Sequence, residues 1–282
     1  MDTPRPMNAL PKGGAGMLPA RVRAAIEYVI DGDLRFLSHH DEIRVLMRSL
    51  VRAAWPLSYS EGFNPQPRMS LPLPRRVGTA SHSQWAVVDL SFADRTHHGS
   101  GEASDPALPC GVPMEHAQSL FESLSRAAPP NVAIKGVTAP LPPGTPHPLR
   151  ACYEIDLDPA DAAAAAPRVA DVLDLGAIVV SRNTGPGKPV REIDVRPLLE
   201  KLVLDGTTLR MRLAYEGQRT ARPIEILSAL GLPAADYEHR VRQLEILWDM
   251  ELAGPLRWPA APERNPLVEE ENPERGCQAA HA

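Results

Sequence analysis

Residues 35–68, RFLSHHDEIRVLMRSLVRAAWPLSYSEGFNPQPR, tie a capped amphipathic helix to a stiff loop, so any fold must bury one helix face and leave the loop displayed. Ser38 can cap the free amides of the first turn, with Asp41 three residues on as the capping-box acid favoured by the helix dipole. Ile43, Leu46, Met47, Leu50 and Val51 recur at helical offsets and mark the buried face. Arg44, Arg48 and Arg52 follow at intervals of four, stacking three cations along one exposed side. In the loop, Gly62 is free to take positive φ, while Pro65 and Pro67 hold the chain near polyproline II. Asn64, Gln66 and Arg68 are then displayed at little ordering cost.

The order of elements around this stretch gives the fold class. The first half reads as strand (Val22–Ile30), helix (41–54), strand (57–60), strand (Trp85–Phe92), helix (Pro113–Ala127) and strand (132–138). That is βαββαβ, the ferredoxin-like motif, in which two helices cover one face of an antiparallel sheet. A proline-rich stretch, 139–150, reads as a linker. The pattern then restarts with a strand at Cys152–Leu157, an alanine-rich helix at Ala160–Leu173 that Pro167 interrupts, and a short strand at Ala177–Ser181. Thr208–Tyr215 alternates as a strand, Pro223 opens a helix that Gly231 follows, and Val241–Trp248 closes the sheet. VREIDVRPLLEKLVLDG is inserted between the central strands. The expectation is an α+β chain of two tandem ferredoxin-like units with antiparallel sheets, at 21–138 and 151–258. Residues 1–20 and the acidic tail 259–282 read as disordered termini.

Composition narrows the function classes. At 282 residues and 43% hydrophobic content, the chain has material for real cores. The first twenty residues lack a continuous apolar stretch of signal-peptide type, and no run approaches bilayer-spanning length, so a cytoplasmic protein without membrane association is expected. The net charge of −5 excludes a globally basic nucleic-acid binder. Charge is segregated, however, because residues 34–78 hold seven arginines against Asp41, Glu42 and Glu61, a local +4. Cys110, Cys152 and Cys277 are scattered, with neither a disulfide framework nor the close spacing that an iron-sulfur cluster needs.

The motifs Arg35-Phe36-x-Ser38-His39-x-Asp41 and Tyr59-Ser60-x-Gly62-Phe63-Asn64-Pro65-x-Pro67-Arg68 resemble the radical-SAM-linked family of uncharacterised proteins, DUF2344. Gln66 stands where that family usually has histidine, so no role that needs an imidazole carries over to that position. The segment VVSRNTGPGKPVREIDVRPLLEKL resembles the family's later half, and the likeness spans roughly residues 23 to 250. The resemblance implies a radical SAM protein as partner in trans, with the iron-sulfur chemistry supplied by that partner and no cofactor on this chain. Tandem ferredoxin-like units are also similar to CRISPR RNA-processing endonucleases, a fold analogy that makes RNA a candidate ligand.

The candidate substrate-binding residues are His39, Arg44, Arg48, Arg52, Tyr59, Glu61, Asn64 and Arg68. The arginines, together with Arg75 and Arg76, are phosphate candidates, and Tyr59 and Phe63 can stack bases. His39 is the candidate acid or base of a catalytic alternative. Against these stand local structural readings: Asp41 completing a cap, His39 donating to a loop carbonyl, and Arg68 pairing with Glu61 to pin the loop. No nucleophile and base pair stands at a characteristic spacing, so recognition is favoured over catalysis. The expected function is a non-catalytic recognition partner of a radical SAM enzyme that binds RNA. The alternatives are an RNA-processing or RNA-modifying enzyme using His39 and Arg68, or a protein-docking module.

Two further segments carry less. Adjacent His97 and His98 with Cys110 lack a fourth ligand spaced for a tetrahedral zinc site, so no metal is assigned. Thr184–Pro189, TGPGKP, departs from the phosphate-loop pattern and reads as a hairpin turn, while Arg182, Lys188, Arg191 and Arg196 make a second basic patch.

Overall fold

The computed structural model describes residues 21–91, 114–142, 144–183, 189–217, 219–250 and 256–258. The expected terminal arms and the segment with His97, His98 and Cys110 lie outside the described residues.

Alternating apolar residues carry the chain through β1 (Arg21–Ile30), from which Val22, Ala24, Ile26, Tyr28 and Ile30 enter one core. A 3-10 turn at Gly32–Phe36 leads into α1 (His39–Arg52). Ser38 caps α1 as expected, its hydroxyl accepting the Asp41 amide proton at 3.2 Å and donating to the Asp41 carboxylate at 2.7 Å. β2 (Met69–Ser70), β3 (Ala80–Ser91), α2 (Met114–Ala127) and β4 (Val132–Ala139) complete the first half. The strand order is β4-β1-β3-β2, all neighbours antiparallel. Leu46 and Leu50 of α1 and Leu124 of α2 pack on the same core as Ile26 and Val88, so both helices cover one sheet face.

The second half opens with β5 (Pro148–Asp156), α3 (Pro159–Ala165) and α4 (Arg168–Asp174). A two-stranded ribbon follows, β6 (Val179–Arg182) against β7 (Arg191–Asp194), bracketing the predicted TGPGKP turn, of which 184–188 lie outside the described residues. Then come β8 (Leu199–Asp205), β9 (Thr208–Glu216), β10 (Arg219–Thr220), α5 (Pro223–Ala229), α6 (Ala234–Tyr237) and β11 (Val241–Trp248). Here the antiparallel order is β11-β5-β9-β8. A last strand, β12 (Leu256–Trp258), pairs with β4.

The chain is thus α+β, and the strands of its two halves, apart from the separate β6-β7 ribbon, share one ten-stranded sheet among the described residues. β11 runs parallel to the start of β3, with Arg242 opposite Ala80 and Gln243 opposite Ser81, and β2 takes the other end of the same β3 edge. β3 is buried on both faces as a result. Ala86, Val88 and Leu90 face the helices of the first half, while Trp85 and Val87 join the core of the second. The Trp85 and Trp248 rings stack at 4.8 Å and 24° across this seam.

Three local expectations are corrected. Residues 57–60 form isolated bridges, Leu57 to Leu90 and Tyr59 to Pro67, and the regular strand lies at Met69–Ser70. The ends of the predicted 139–150 linker are strand, with Ala139 in β4 and Pro148–Arg150 in β5. The alanine-rich helix is two helices, because Pro167 lacks the amide that would continue the first.

Candidate recognition site

The displayed loop is held at its base by backbone hydrogen bonds. Ser58 donates to the Asp89 carbonyl of β3 at 2.8 Å, and the Arg68 amide donates to Ser58 at 2.8 Å. Ser60 then closes the ring twice, its amide donating to the Gln66 carbonyl at 2.8 Å and its hydroxyl accepting from the Gln66 amide at 3.0 Å. Gly62 adopts φ +136°, the positive-φ geometry its lack of a side chain permits. Beyond these ties Glu61, Phe63, Asn64 and Gln66 stand in solvent, and the Phe63 ring is fully exposed. Tyr59, at the loop's foot, is 45% exposed.

Arg68 does not pair with Glu61. Its Nε donates to the Tyr59 carbonyl at 3.3 Å, so the guanidinium braces the loop's foot.

The arginine row of α1 is divided in its duties. Arg44 pairs with Asp41 at 3.0 Å on the surface. Hydrogen bonds from Ser38 and then from Arg44 hold the Asp41 carboxyl below the usual carboxylate range. Arg52 donates to the Ala127 carbonyl at the end of α2, at 3.2 Å. Arg48 is exposed and makes no hydrogen bond or ion pair among the described residues. One cation of the three is therefore uncommitted.

His39 is the first residue of α1, its ring 5.7 Å from that of His40. Its Nδ1 is buried without a hydrogen-bond partner, so the expected bond to a loop carbonyl is not made. Nearby, the Arg35 guanidinium lies 4.9 Å from the centre of the Phe36 ring. No hydrogen bond or ion pair joins His39, Arg44, Arg48 or Arg52 to the loop among the described residues. The candidates thus form two groups, one on α1 and one on the loop.

Two predicted phosphate contacts are corrected. Arg75 is buried and forms an ion pair with Glu42 at 3.1 Å, a residue that sequence reasoning counted only among the charges of residues 34–78. Arg76 pairs with Glu238 of the second half at 2.6 Å. In the second basic patch, Arg182 is bound by Glu225 and Arg196 donates to the Leu173 and Leu199 carbonyls. Arg191 stays exposed, and Lys188 lies outside the described residues. No group of three or more metal-ligating side chains occurs among the described residues, and no helix there is long and apolar enough to cross a membrane.

The profile of a bacterial family, uncharacterized proteins conserved in bacteria (DUF2344), matches residues 23–223, from within β1 to the first residue of α5. The chain belongs to the DUF2344 family. No protein of the curated set matches it. The match takes in α1, the loop and both halves of the sheet, and ends before β11, the strand that joins those halves.

Proposed function

We propose that this DUF2344 chain is a non-catalytic substrate-recognition partner of a separate radical SAM enzyme and that it grips RNA. The observation that carries the reading is Phe63, an apolar ring held wholly in water on a loop closed by the Ser60 and Gln66 hydrogen bonds. An exposed aromatic on a loop closed at its base offers a partner apolar area to cover, and the closed loop lowers the backbone ordering that binding costs. Stacking of a base on such a ring contributes roughly 1–3 kcal/mol and tolerates any base. Tyr59 offers a second ring, and Arg48 an uncommitted cation for phosphate.

Recognition is favoured over catalysis because His39 has no carboxylate within hydrogen-bonding distance among the described residues. The radical SAM side of the proposal rests on the resemblance of the two motifs, with the cluster chemistry assigned to the partner. In this reading the two halves, ordered β4-β1-β3-β2 and β11-β5-β9-β8, are ferredoxin-like units fused along β3 and β11.

One observation favours the protein-docking reading instead. The loop tip 61–66 carries Glu61 and no cation, and the Arg68 guanidinium is turned back onto Tyr59. Crosslinking in cells, followed by identification of bound RNA and protein for wild type and Phe63→Ala, separates the two. RNA lost from Phe63→Ala with a radical SAM protein retained is the expected result. A radical SAM protein lost from the variant, with no RNA on either chain, would replace RNA recognition by docking.

A further inference from the structure

A cavity of ≈ 240 Å³ opens at the seam, between residues 73–79 of the first half and 220–224 of the second. Its buried side carries a polar chain. The Ser81 hydroxyl lies 3.0 Å from Gln243 Oε1, Gln243 Nε2 lies 3.4 Å from the Tyr153 hydroxyl, and that hydroxyl lies 3.3 Å from the Tyr215 hydroxyl. Burial raises the pKa of both tyrosines, so they are neutral hydroxyls able to donate or accept. Leu73, Pro74, Pro223 and Ile224 supply apolar lining, and the charged lining is Arg76, Arg222, Glu238 and Arg75, the last matched by Glu42.

The charges beside this cavity do not balance locally. Arg76 is bound by Glu238 at 2.6 Å, and Arg182 takes both oxygens of Glu225, at 2.8 and 2.6 Å. Arg222 is the third cation, and its Nε lies 3.9 Å from a Glu225 oxygen already engaged by Arg182. Three guanidinium groups therefore share two carboxylates. Burial first, then the Arg182 and Arg76 charges, pull the Arg222 guanidinium below the usual arginine value. An anion would relieve that repulsion, and the planar fork of arginine suits a carboxylate or phosphate.

We infer that the seam cavity is a binding site for a small organic anion, whose carboxylate or phosphate is taken by Arg222 and whose apolar body lies against Leu73, Pro74, Pro223 and Ile224. The hydroxyls of Tyr153 and Tyr215 serve a polar atom at the far end of that body. The volume lies below the roughly 300–1,000 Å³ of pockets for drug-sized ligands, which suits a single-ring molecule. The site is separate from the Phe63 loop, and neither assignment depends on the other.

Calorimetric titration of the full chain with benzoate, phenyl phosphate, inorganic phosphate and neutral benzamide tests this. Saturable binding of benzoate or phenyl phosphate, and none of benzamide, is expected, and the stronger of the two identifies the anionic group. Arg222→Gln should weaken that binding at least about tenfold, the usual size of a lost charge-assisted contact. Ile224→Trp, which keeps every charge and fills the space, should block it, and it decides the matter if Arg222→Gln does not fold. Inorganic phosphate binding as well as phenyl phosphate would overturn the apolar half of the assignment. Absence of binding by both organic anions, or wild-type affinity in both folded variants, would overturn the site.

Discussion

Glu42 and Arg75 form an ion pair at 3.1 Å with side chains only 2% and 1% exposed, and it fixes the foot of α1 to the segment that enters β3. Tyr28 of β1 donates its hydroxyl to the other Glu42 oxygen at 2.7 Å, and Arg75 also donates to the Thr79 carbonyl at 2.6 Å. Every charged oxygen of Glu42 thus has a donor, which is the condition under which a buried carboxylate is tolerated. Through this node β1, the first turn of α1 and the segment before β3 hold one geometry, and His39 is built on it, whereas the displayed loop is tied to Asp89 at the other end of β3.

Glu42→Ala leaves the Arg75 charge buried with only carbonyls around it. The expected loss is about 3–5 kcal/mol of folding free energy, read as a lowered urea midpoint at unchanged slope. Replacing both residues with methionine should cost less than the two single substitutions added together, because the second change removes the stranded charge. A Glu42→Ala loss below about 1 kcal/mol, the range of exposed pairs, would mean that the pair is not buried in solution.

The features legible in the sequence were those set by neighbours along the chain. The Ser38 cap is local chemistry, and so is the break that Pro167 places between α3 and α4. β3 was read only from Trp85, because Ser81, Ser83 and Gln84 break its apolar pattern. These side chains are buried nonetheless, since Gln243, Glu27 and the Leu73 carbonyl satisfy them. Their partners are remote in sequence, so no local pattern could reveal that this end of β3 receives β11. Pro148 likewise disguised the start of β5, although the first residue of a strand is a position where proline is tolerated. For the site, the loop's exposure was legible from its glycine and prolines. The capture of Arg75 by Glu42 and of Arg76 by Glu238 was not, because arginines that read as phosphate contacts found carboxylates 33 and 162 residues away.

Cys152 lies in β5, and burial, helped by Glu245, pushes its thiol up to about 11. Near pH 8 only on the order of 0.1% is then thiolate, the reactive form. Peptide mapping after brief iodoacetamide treatment should find Cys152 unmodified in the native protein and modified in urea. Native labelling of Cys152 at the rate of a free cysteine would contradict its burial.

Arg242 of β11 reaches two carboxylates of β5, Glu154 at 2.8 Å and Asp156 at 2.7 Å. The Arg242 hydrogen bond lowers the Asp156 pKa; at Glu154 burial acts upward but is outweighed by hydrogen bonds from Arg242 and Arg210. Both carboxyls titrate lower when folded than when unfolded, where about 4 is usual. Their contribution is therefore complete above about pH 5 and is lost as the pH falls through the lowered folded values. Arg242→Met should be less stable than wild type at neutral pH, and the gap should narrow steadily below about pH 4. A gap that is the same in acid and at neutrality would show that the carboxylates contribute nothing through Arg242.

The parallel pairing of β11 with β3 makes the two halves share a sheet, and the stacked Trp85 and Trp248 rings place large apolar area in the joint. Because β3 contributes to both cores, neither half can lose its structure without exposing part of the other. Scanning calorimetry should accordingly show one cooperative transition for the described sheet. Trp248→Ala should lower that whole transition, by about 3–5 kcal/mol for truncating a buried tryptophan. Two transitions, with Trp248→Ala moving only one, would mean that the halves fold independently and meet along β3 and β11 as docked units. The seam cavity would then be a cleft between moving parts, whereas a single transition makes its walls one rigid frame.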